Sequence, residues 1–236
     1  VSGGSQTVVD NAQGTLVVTG VTGPSGGPFS VNYTYTLKDN VLTHSVQGDD
    51  DTVNGPLFVV SATDATGDVG TGNLQVVISD DAPTANNDAD SAVEGVFTPV
   101  TGNVITGLGT TGGAGGAGAD VKGADDAAVS QVVGFNGSTD SNPSGGFTVT
   151  GQYGNLTMGP DGEYSYTLTA ASVPVGATDV FTYTLKDGDN DTDPATLTIN
   201  IGQDTRTPVL TIGNATVDEE RSEEHTSELQ SHLMIS

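Results

Sequence analysis

Residues 181–201 read FTYTLKDGDNDTDPATLTINI and combine two alternating runs with an acidic segment between them. Apolar and polar residues alternate over residues 181–185 and again over residues 197–201, with many β-branched and aromatic side chains among them. Alternation with a period of two is typical of a strand that buries one of its faces. The stretch therefore predicts two half-buried strands joined by an acidic turn.

The turn carries an aspartate at every second position, namely Asp187, Asp189, Asp191 and Asp193. Carboxylates packed this closely repel one another unless water or a cation offsets their charge. A hard cation bound by oxygen atoms suits such a group, and Ca²⁺ is the usual one outside cells. The residues alone leave two interpretations open, a calcium site and a solvated, aspartate-rich hairpin loop.

The same pattern occurs earlier in the chain, where residues 58–78 read FVVSATDATGDVGTGNLQVVI. They align with residues 181–201 without a gap. Asp64 and Asp68 then occupy the positions of the first and third aspartates of the later turn, and both are candidate metal ligands. Because Thr66 replaces the second aspartate, we expect this earlier turn to bind metal weakly or not at all.

A second pair of segments extends the similarity. GTL at 14–16 and YTYTL at 33–37 precede the first hairpin, and GNL at 154–156 and YSYTL at 164–168 precede the later one. This order predicts an internal repeat of roughly a hundred residues, which indicates a tandem array of similar domains.

The repeat divides the chain into four predicted segments. We expect residues 1–81 to form a β-sandwich repeat that lacks its beginning, residues 82–204 a second β-sandwich repeat, and residues 205–220 the start of a third. Residues 217–236 are the only helix-like stretch, and within it residues 221–236 begin with twelve residues, RSEEHTSELQSH, that resemble the in-frame translation of a common sequencing adapter. We therefore expect a non-native tail there.

An acidic linker, DDAPTANNDADSAVE at residues 80–94, connects the first two segments. Its candidate metal ligands are Asp80, Asp81, Asp88, Asp90 and Glu94. Carboxylates in such a linker can bind Ca²⁺ and rigidify the joint between two domains. The alternative is a flexible charged tether, and the residues alone favour neither.

Composition limits the class of protein. The 236 residues include 30 acidic and 5 basic side chains, which gives a formal net charge of −25. This charge disfavours binding to nucleic acid, which needs Lys and Arg to neutralise phosphates, and to anionic membrane surfaces. No apolar run approaches the length of a transmembrane helix. There is no Cys, so a metal is the obvious stabiliser of small all-β domains.

Catalytic motifs are weak in this sequence. Residues 23–27, GPSGG, match the GxSxG pattern of a nucleophile elbow, but Pro28 and a β-alternating run follow where a helix is needed. His44 is the only histidine before residue 221, which leaves little for Ser–His or Cys–His chemistry. We therefore expect a protein that is not an enzyme.

The sequence resembles the tandem repeats of large bacterial type I-secreted RTX adhesins, in the VCBS, cadherin-like and Ig-like repeat families. Four segments carry the resemblance: YSYTL at 164–168 after a D-G turn, FTYTLKDGDND at 181–191, ATLTINI at 195–201, and the linker with VEG at 80–95. The resemblance covers most of the chain before the predicted tail.

This resemblance implies tandem Ig-like or cadherin-like β-sandwich domains in an extracellular adhesin at the bacterial cell surface, with a role in cell adhesion and biofilm. It implies Ca²⁺ in loops and at joints between domains. The implied partners are neighbouring repeats of the same chain, with host or matrix ligands bound by other domains, and no nucleic acid or membrane insertion. Two alternatives remain: a module that binds carbohydrate or protein, and an accessory domain of a secreted enzyme.

Overall fold

The computed structural model describes residues 6–24, 27–38, 52–63, 66–111 and 118–207. In these residues the regular structure consists of β-strands and one short 3₁₀ turn, which confirms the all-β prediction. None of the described elements is a helix long and apolar enough to cross a lipid bilayer. The predicted tail lies outside the described residues, as does all of the predicted third segment after residue 207.

In the described residues, five strands precede the acidic linker. They are β1 (Gln6–Asp10), β2 (Gly14–Thr22), β3 (Ser30–Leu37), β4 (Thr52–Thr63) and β5 (Val69–Ser79). The first three form an antiparallel sheet in the order β1-β2-β3, and β4 and β5 form an antiparallel hairpin. The rings of Tyr35 on β3 and Phe58 on β4 have centroids 6.2 Å apart, so aromatic side chains connect the sheet to the hairpin.

Nine strands follow the start of the linker in the part of the chain that the structure describes. They are β6 (Asp88–Val93), β7 (Val100–Asn103), β8 (Ala127–Val133), β9 (Thr139–Asp140), β10 (Phe147–Thr150), β11 (Gly154–Met158), β12 (Glu163–Leu168), β13 (Thr178–Asp187) and β14 (Thr192–Gly202). One sheet has the order β10-β11-β12-β7 and the other β6-β14-β13-β8-β9. The two sheets form a sandwich around a shared apolar core.

The core follows from the alternation in the sequence. Phe181, Tyr183 and Leu185 on β13 are fully buried, because a period of two places them on the same face of the sheet. The ring of Phe181 meets that of Tyr166 from the opposite sheet edge to face, with centroids 6.0 Å apart. Such pairs add about 0.5–1.5 kcal/mol beyond the burial of their apolar area.

The linker leads directly into the sandwich through β6. This strand pairs with β14 in parallel, from Asp88 opposite Leu197 to Val93 opposite Gly202. All other strand pairs of the two sheets are antiparallel. The first and last strands of this sandwich are therefore neighbours that run in the same direction.

The repeat seen in the sequence extends to the pairing of the strands. Leu16 on β2 lies opposite Tyr35 on β3, and the aligned Leu156 on β11 lies opposite Tyr166 on β12. The hairpins agree as well, since the β4–β5 and β13–β14 pairs have the register that the gapless alignment predicts. The division of the chain at residue 81 stays a prediction.

The region of β1–β5 and the region of β6–β14 also share a close contact between a glycine and a tyrosine. A Cβ atom on Gly14 would lie 2.4 Å from the hydroxyl oxygen of Tyr35, and one on Gly154 would lie 2.5 Å from that of Tyr166. No side chain fits at such distances, so glycine is required under each ring.

The two tyrosines differ in what their hydroxyl groups contact. The hydroxyl of Tyr166 donates a hydrogen bond of 2.7 Å to the buried carboxylate of Asp179, which also accepts from the backbone N–H groups of Gln152 and Tyr153. The alignment places Pro56 at the position of Asp179. The buried hydroxyl of Tyr35 accordingly has no hydrogen-bond partner among the described residues.

This difference predicts opposite effects for the same substitution. Tyr166→Phe removes a hydrogen bond to a buried charge and should lower the free energy of unfolding by about 1.5–3 kcal/mol. Tyr35→Phe removes a buried hydroxyl without a partner and should leave the stability unchanged or slightly raised. Urea unfolding followed by circular dichroism measures both, and equal losses for the two variants would contradict the assignment.

Candidate metal centre

Five aspartates from three segments meet beside the β13–β14 turn. We call them the five-aspartate cluster, and they are Asp80, Asp125, Asp187, Asp189 and Asp191. They form two triads, each with carboxylate oxygens within 4.8 Å of one another: Asp80 with Asp189 and Asp191, and Asp125 with Asp187 and Asp189. Asp189 belongs to both triads and connects them.

The backbone of the turn directs its three aspartates inward. The N–H of Asp187 donates to the carbonyl of Asp191 at 3.1 Å, and the N–H of Asp191 donates to the Asp187 carboxylate at 2.7 Å. Asn190 has a φ of 87°, in the left-handed region that Asn tolerates better than most residues. Asp187, Asp189 and Asp191 are buried, while Gly188 and Asn190 between them are exposed.

Two other segments complete the cluster. Asp80 directly follows the last residue of β5, and Asp125 lies two residues before β8. The carboxylate of Asp125 accepts a hydrogen bond of 3.1 Å from the N–H of Asp189. A Cβ atom on Gly188 would lie 2.7 Å from this carboxylate, so a glycine is needed for the approach.

The cluster concentrates negative charge away from water. Asp80, Asp187 and Asp189 are 7–8% exposed and Asp191 is 0% exposed. Burial, a hydrogen bond with the Asp189 side chain and the negative charge of Asp125 together raise the pKa of Asp187. The lysines nearest in sequence pair elsewhere, Lys186 with Asn190 and Lys122 with Asp126.

The donor atoms fit a hard divalent cation. The buried carboxylate oxygens Asp125 Oδ1 and Asp187 Oδ2 have no hydrogen-bond partner among the described residues. Burying such atoms costs several kcal/mol unless a proton or a cation compensates them. An all-oxygen set with excess negative charge is what Ca²⁺ binds in proteins. The cluster can therefore hold a metal ion, with Asp189 shared between the two triads.

The structure combines parts of the two predicted sites. Asp187, Asp189 and Asp191 of the predicted turn site lie with Asp80 of the predicted linker site. Asp193, the fourth aspartate of the turn, lies on β14 instead and accepts a hydrogen bond of 2.8 Å from the N–H of Ala85. Asp81 accepts one of 2.8 Å from the N–H of Ala124, which holds the segment before β8 against the linker.

The remaining linker carboxylates lie elsewhere in the sandwich. Asp90 accepts a hydrogen bond of 2.7 Å from the Tyr164 hydroxyl. Glu94 accepts from the N–H groups of Val173 at 3.1 Å and Asp204 at 3.4 Å. Both act as hydrogen-bond acceptors that fix neighbouring segments.

The aspartates of the earlier turn are only partly described. Asp68 is exposed and accepts a hydrogen bond of 3.2 Å from Thr66. Asp64 lies outside the described residues.

A separate acidic pair, Asp88 and Asp120, lies inside the sandwich. Burial raises the pKa of Asp88 to about 6, although the hydroxyl groups of Thr110 and Tyr183 partly oppose the shift. Burial likewise raises the pKa of Asp120 to about 6, opposed by hydrogen bonds from the Asn86 N–H and Tyr183 and supported by nearby carboxylates. This pair is buried but does not belong to the five-aspartate cluster.

Sequence reasoning missed Asp120, Asp125 and Asp179. Asp125 had one local indication, since Asp125 and Asp126 form an acidic pair just before a β-rich stretch. Asp120 and Asp179 are single aspartates whose importance depends on partners distant in sequence, Asn86 for the first and Tyr166 for the second.

Comparison with known proteins adds no family assignment. No protein-family model matches this chain, and no curated protein matches it significantly. The function is therefore inferred from the geometry and from the sequence pattern.

The raised pKa values predict how stability depends on pH in the absence of metal. Because the folded state binds protons at Asp88, Asp120 and Asp187 that the unfolded state has already released, the stabilisation is complete below about pH 4 and is lost as the pH rises through about 6. Protein stripped of metal on a chelating resin should melt at a higher temperature at pH 5 than at pH 7. A higher midpoint at pH 7 would contradict the burial of these carboxylates.

Proposed function

We propose that this chain is a structural repeat segment of a large secreted bacterial surface adhesin, that Ca²⁺ stabilises and stiffens it, and that it is not an enzyme. The observation that carries the proposal is the position of Asp80. This residue directly follows β5, yet its carboxylate lies with those of Asp189 and Asp191 in the later sandwich. A cation bound there would hold the end of the first part against the second.

The physical mechanism is the removal of repulsion. Without a cation, the carboxylates of the five-aspartate cluster repel one another in a poorly solvated space, which favours opening of the turn and release of the linker. Bound Ca²⁺ would replace this repulsion with attraction and join three segments that lie far apart in the sequence. Metal binding is then coupled to the ordering of the linker.

The alternative of a ligand-binding module has less support. An open groove of about 1310 Å³ runs along the ends of β7, β10, β11 and β12. Its aromatic residues, Phe147 and Tyr164, are 1% and 3% exposed, so neither offers a ring face on which a sugar could stack.

Calcium should raise the thermal stability of the chain. Extracellular calcium modules have dissociation constants of about 10⁻⁴–10⁻³ M, so ~10 mM Ca²⁺ should add about 1.4–2.7 kcal/mol and raise the melting midpoint by about 3–10 °C relative to EGTA. Asp191→Asn should remove the part of this rise that comes from the five-aspartate cluster. The matched control is Asp126→Asn, because Asp126 is exposed and pairs with Lys122 outside the cluster. Equal midpoints with Ca²⁺ and EGTA in the unaltered chain would overturn the proposal.

Calcium should also protect the linker from proteolysis. Elastase cleaves after small residues such as Ala85, which lies in the same linker as Asp80 and is followed by Asn86. We expect cleavage there to slow at least several-fold in Ca²⁺, and Asp80→Asn to remove the protection while Asp126→Asn keeps it. Protection that survives in Asp80→Asn would mean that the cation does not hold the linker. Fragment masses from mass spectrometry identify the cleaved bonds.

A further inference from the structure

The buried carboxylate of Asp88 has an unusual environment. Asp88 is the first residue of β6 and is 1% exposed, and both of its side-chain oxygens are shielded from solvent. It lies close enough to Asp120 for the two charges to interact, and Asp120 is 9% exposed. Two carboxylates therefore share one interior region of the sandwich.

The hydrogen-bond donors around Asp88 are already used. The Thr110 hydroxyl donates to the carbonyl of Gly107 at 2.9 Å. The Tyr183 hydroxyl, which has a single proton, lies 2.8 Å from the carbonyl of Asn86 and 3.1 Å from Asp120 Oδ2. Neither oxygen of Asp88 accepts a hydrogen bond from any described residue.

Several other oxygen atoms lie around this carboxylate. The hydroxyl oxygens of Thr110 and Tyr183 lie beside Asp88, and each has lone pairs in addition to the proton that it donates elsewhere. Asp120 and the Asn86 carbonyl adjoin the same tyrosine hydroxyl. The Thr110 and Tyr183 hydroxyls stabilise the charge of Asp88 only in part, because each also lies within hydrogen-bond distance of a carbonyl oxygen. A divalent cation would supply the remaining compensation that a buried carboxylate among oxygen atoms needs.

We propose that Asp88 and Asp120 bind a Ca²⁺ ion inside the sandwich, at a site separate from the five-aspartate cluster. The two carboxylates match the charge of a divalent cation. Carboxylate, carbonyl and hydroxyl oxygens in an irregular arrangement suit Ca²⁺, whereas Mg²⁺ demands a near-ideal octahedron and retains several waters, for which a buried site has little room. The absence of sulfur and nitrogen from this set disfavours softer metals.

Such an ion would attach the linker to the sandwich. The N–H of Asn86 donates to Asp120 at 2.7 Å, and Thr84 exchanges backbone hydrogen bonds with Val121, so residues 84–88 already lie along residues 119–121. A cation between Asp88 and Asp120 would hold these two segments together beside the Tyr183 hydroxyl of β13. The site does not depend on the five-aspartate cluster, and so it extends beyond the proposed function.

Terbium luminescence tests this site directly. Tb³⁺ replaces Ca²⁺ at oxygen sites and emits when a neighbouring tyrosine absorbs light, and this chain has no tryptophan to interfere. Because the Tyr183 hydroxyl contacts Asp120, we expect tyrosine-sensitised Tb³⁺ emission that Ca²⁺ displaces and that Mg²⁺ at the same concentration does not. Asp88→Asn should weaken Tb³⁺ binding at least tenfold, whereas Asp191→Asn, in the five-aspartate cluster, should leave this emission in place.

A second variant and a count of bound ions make the result decisive. Tyr183→Phe keeps both carboxylates but removes the sensitising phenol and one oxygen of the site, so emission should fall more steeply than the number of Ca²⁺ ions bound per chain, measured by equilibrium dialysis. Asp88→Asn should lower that number by one, and near-ultraviolet circular dichroism checks that it folds. If Asp88→Asn does not fold, Asp120→Asn provides the same test. Unchanged Ca²⁺ stoichiometry in a folded Asp88→Asn or Asp120→Asn protein would overturn the proposal and indicate that a proton compensates Asp88.

Discussion

Burial of a carboxylate removes the water that stabilises its charge, and the described part of this chain buries eight aspartates. Asp90 and Asp179 receive hydrogen bonds from tyrosine hydroxyls and backbone N–H groups, which compensate them locally. In the five-aspartate cluster, Asp125 Oδ1 and Asp187 Oδ2 are buried without a hydrogen-bond partner among the described residues. The two kinds of environment separate aspartates that the fold satisfies by itself from aspartates that can bind a cation.

Much of the fold could be predicted from the sequence because a strand that buries one face alternates apolar and polar residues. Alternation over residues 181–201 gives both strands and their buried face, and the gapless alignment gives the register of two hairpins. The same alternation brings Asp187, Asp189 and Asp191 to one side of the turn. Asp193 departs from the pattern because it already lies in β14, opposite Leu185, where it reaches the linker instead.

The parts that the sequence did not predict depend on contacts between distant segments. Asp125 lies more than sixty residues from Asp189, and only the packing of β8 against β13 brings the two together. Asp80 and Asp88 stand close together in one acidic linker, yet they reach different interior regions. No local rule distinguishes them, since the direction of each side chain is set by the strand and bridge that hold its backbone.

The parallel pairing of β6 with β14 has a mechanical consequence. The chain enters this sandwich at Asp88 beside Leu197 and leaves it beyond Gly202 beside Val93, so the two points of attachment are displaced along the strands by about 16 Å. Tension applied through the chain at both ends pulls β6 and β14 in opposite directions along their shared axis. The load then falls on all their hydrogen bonds at once rather than on one bond after another. A sandwich connected in this way resists stretching in shear.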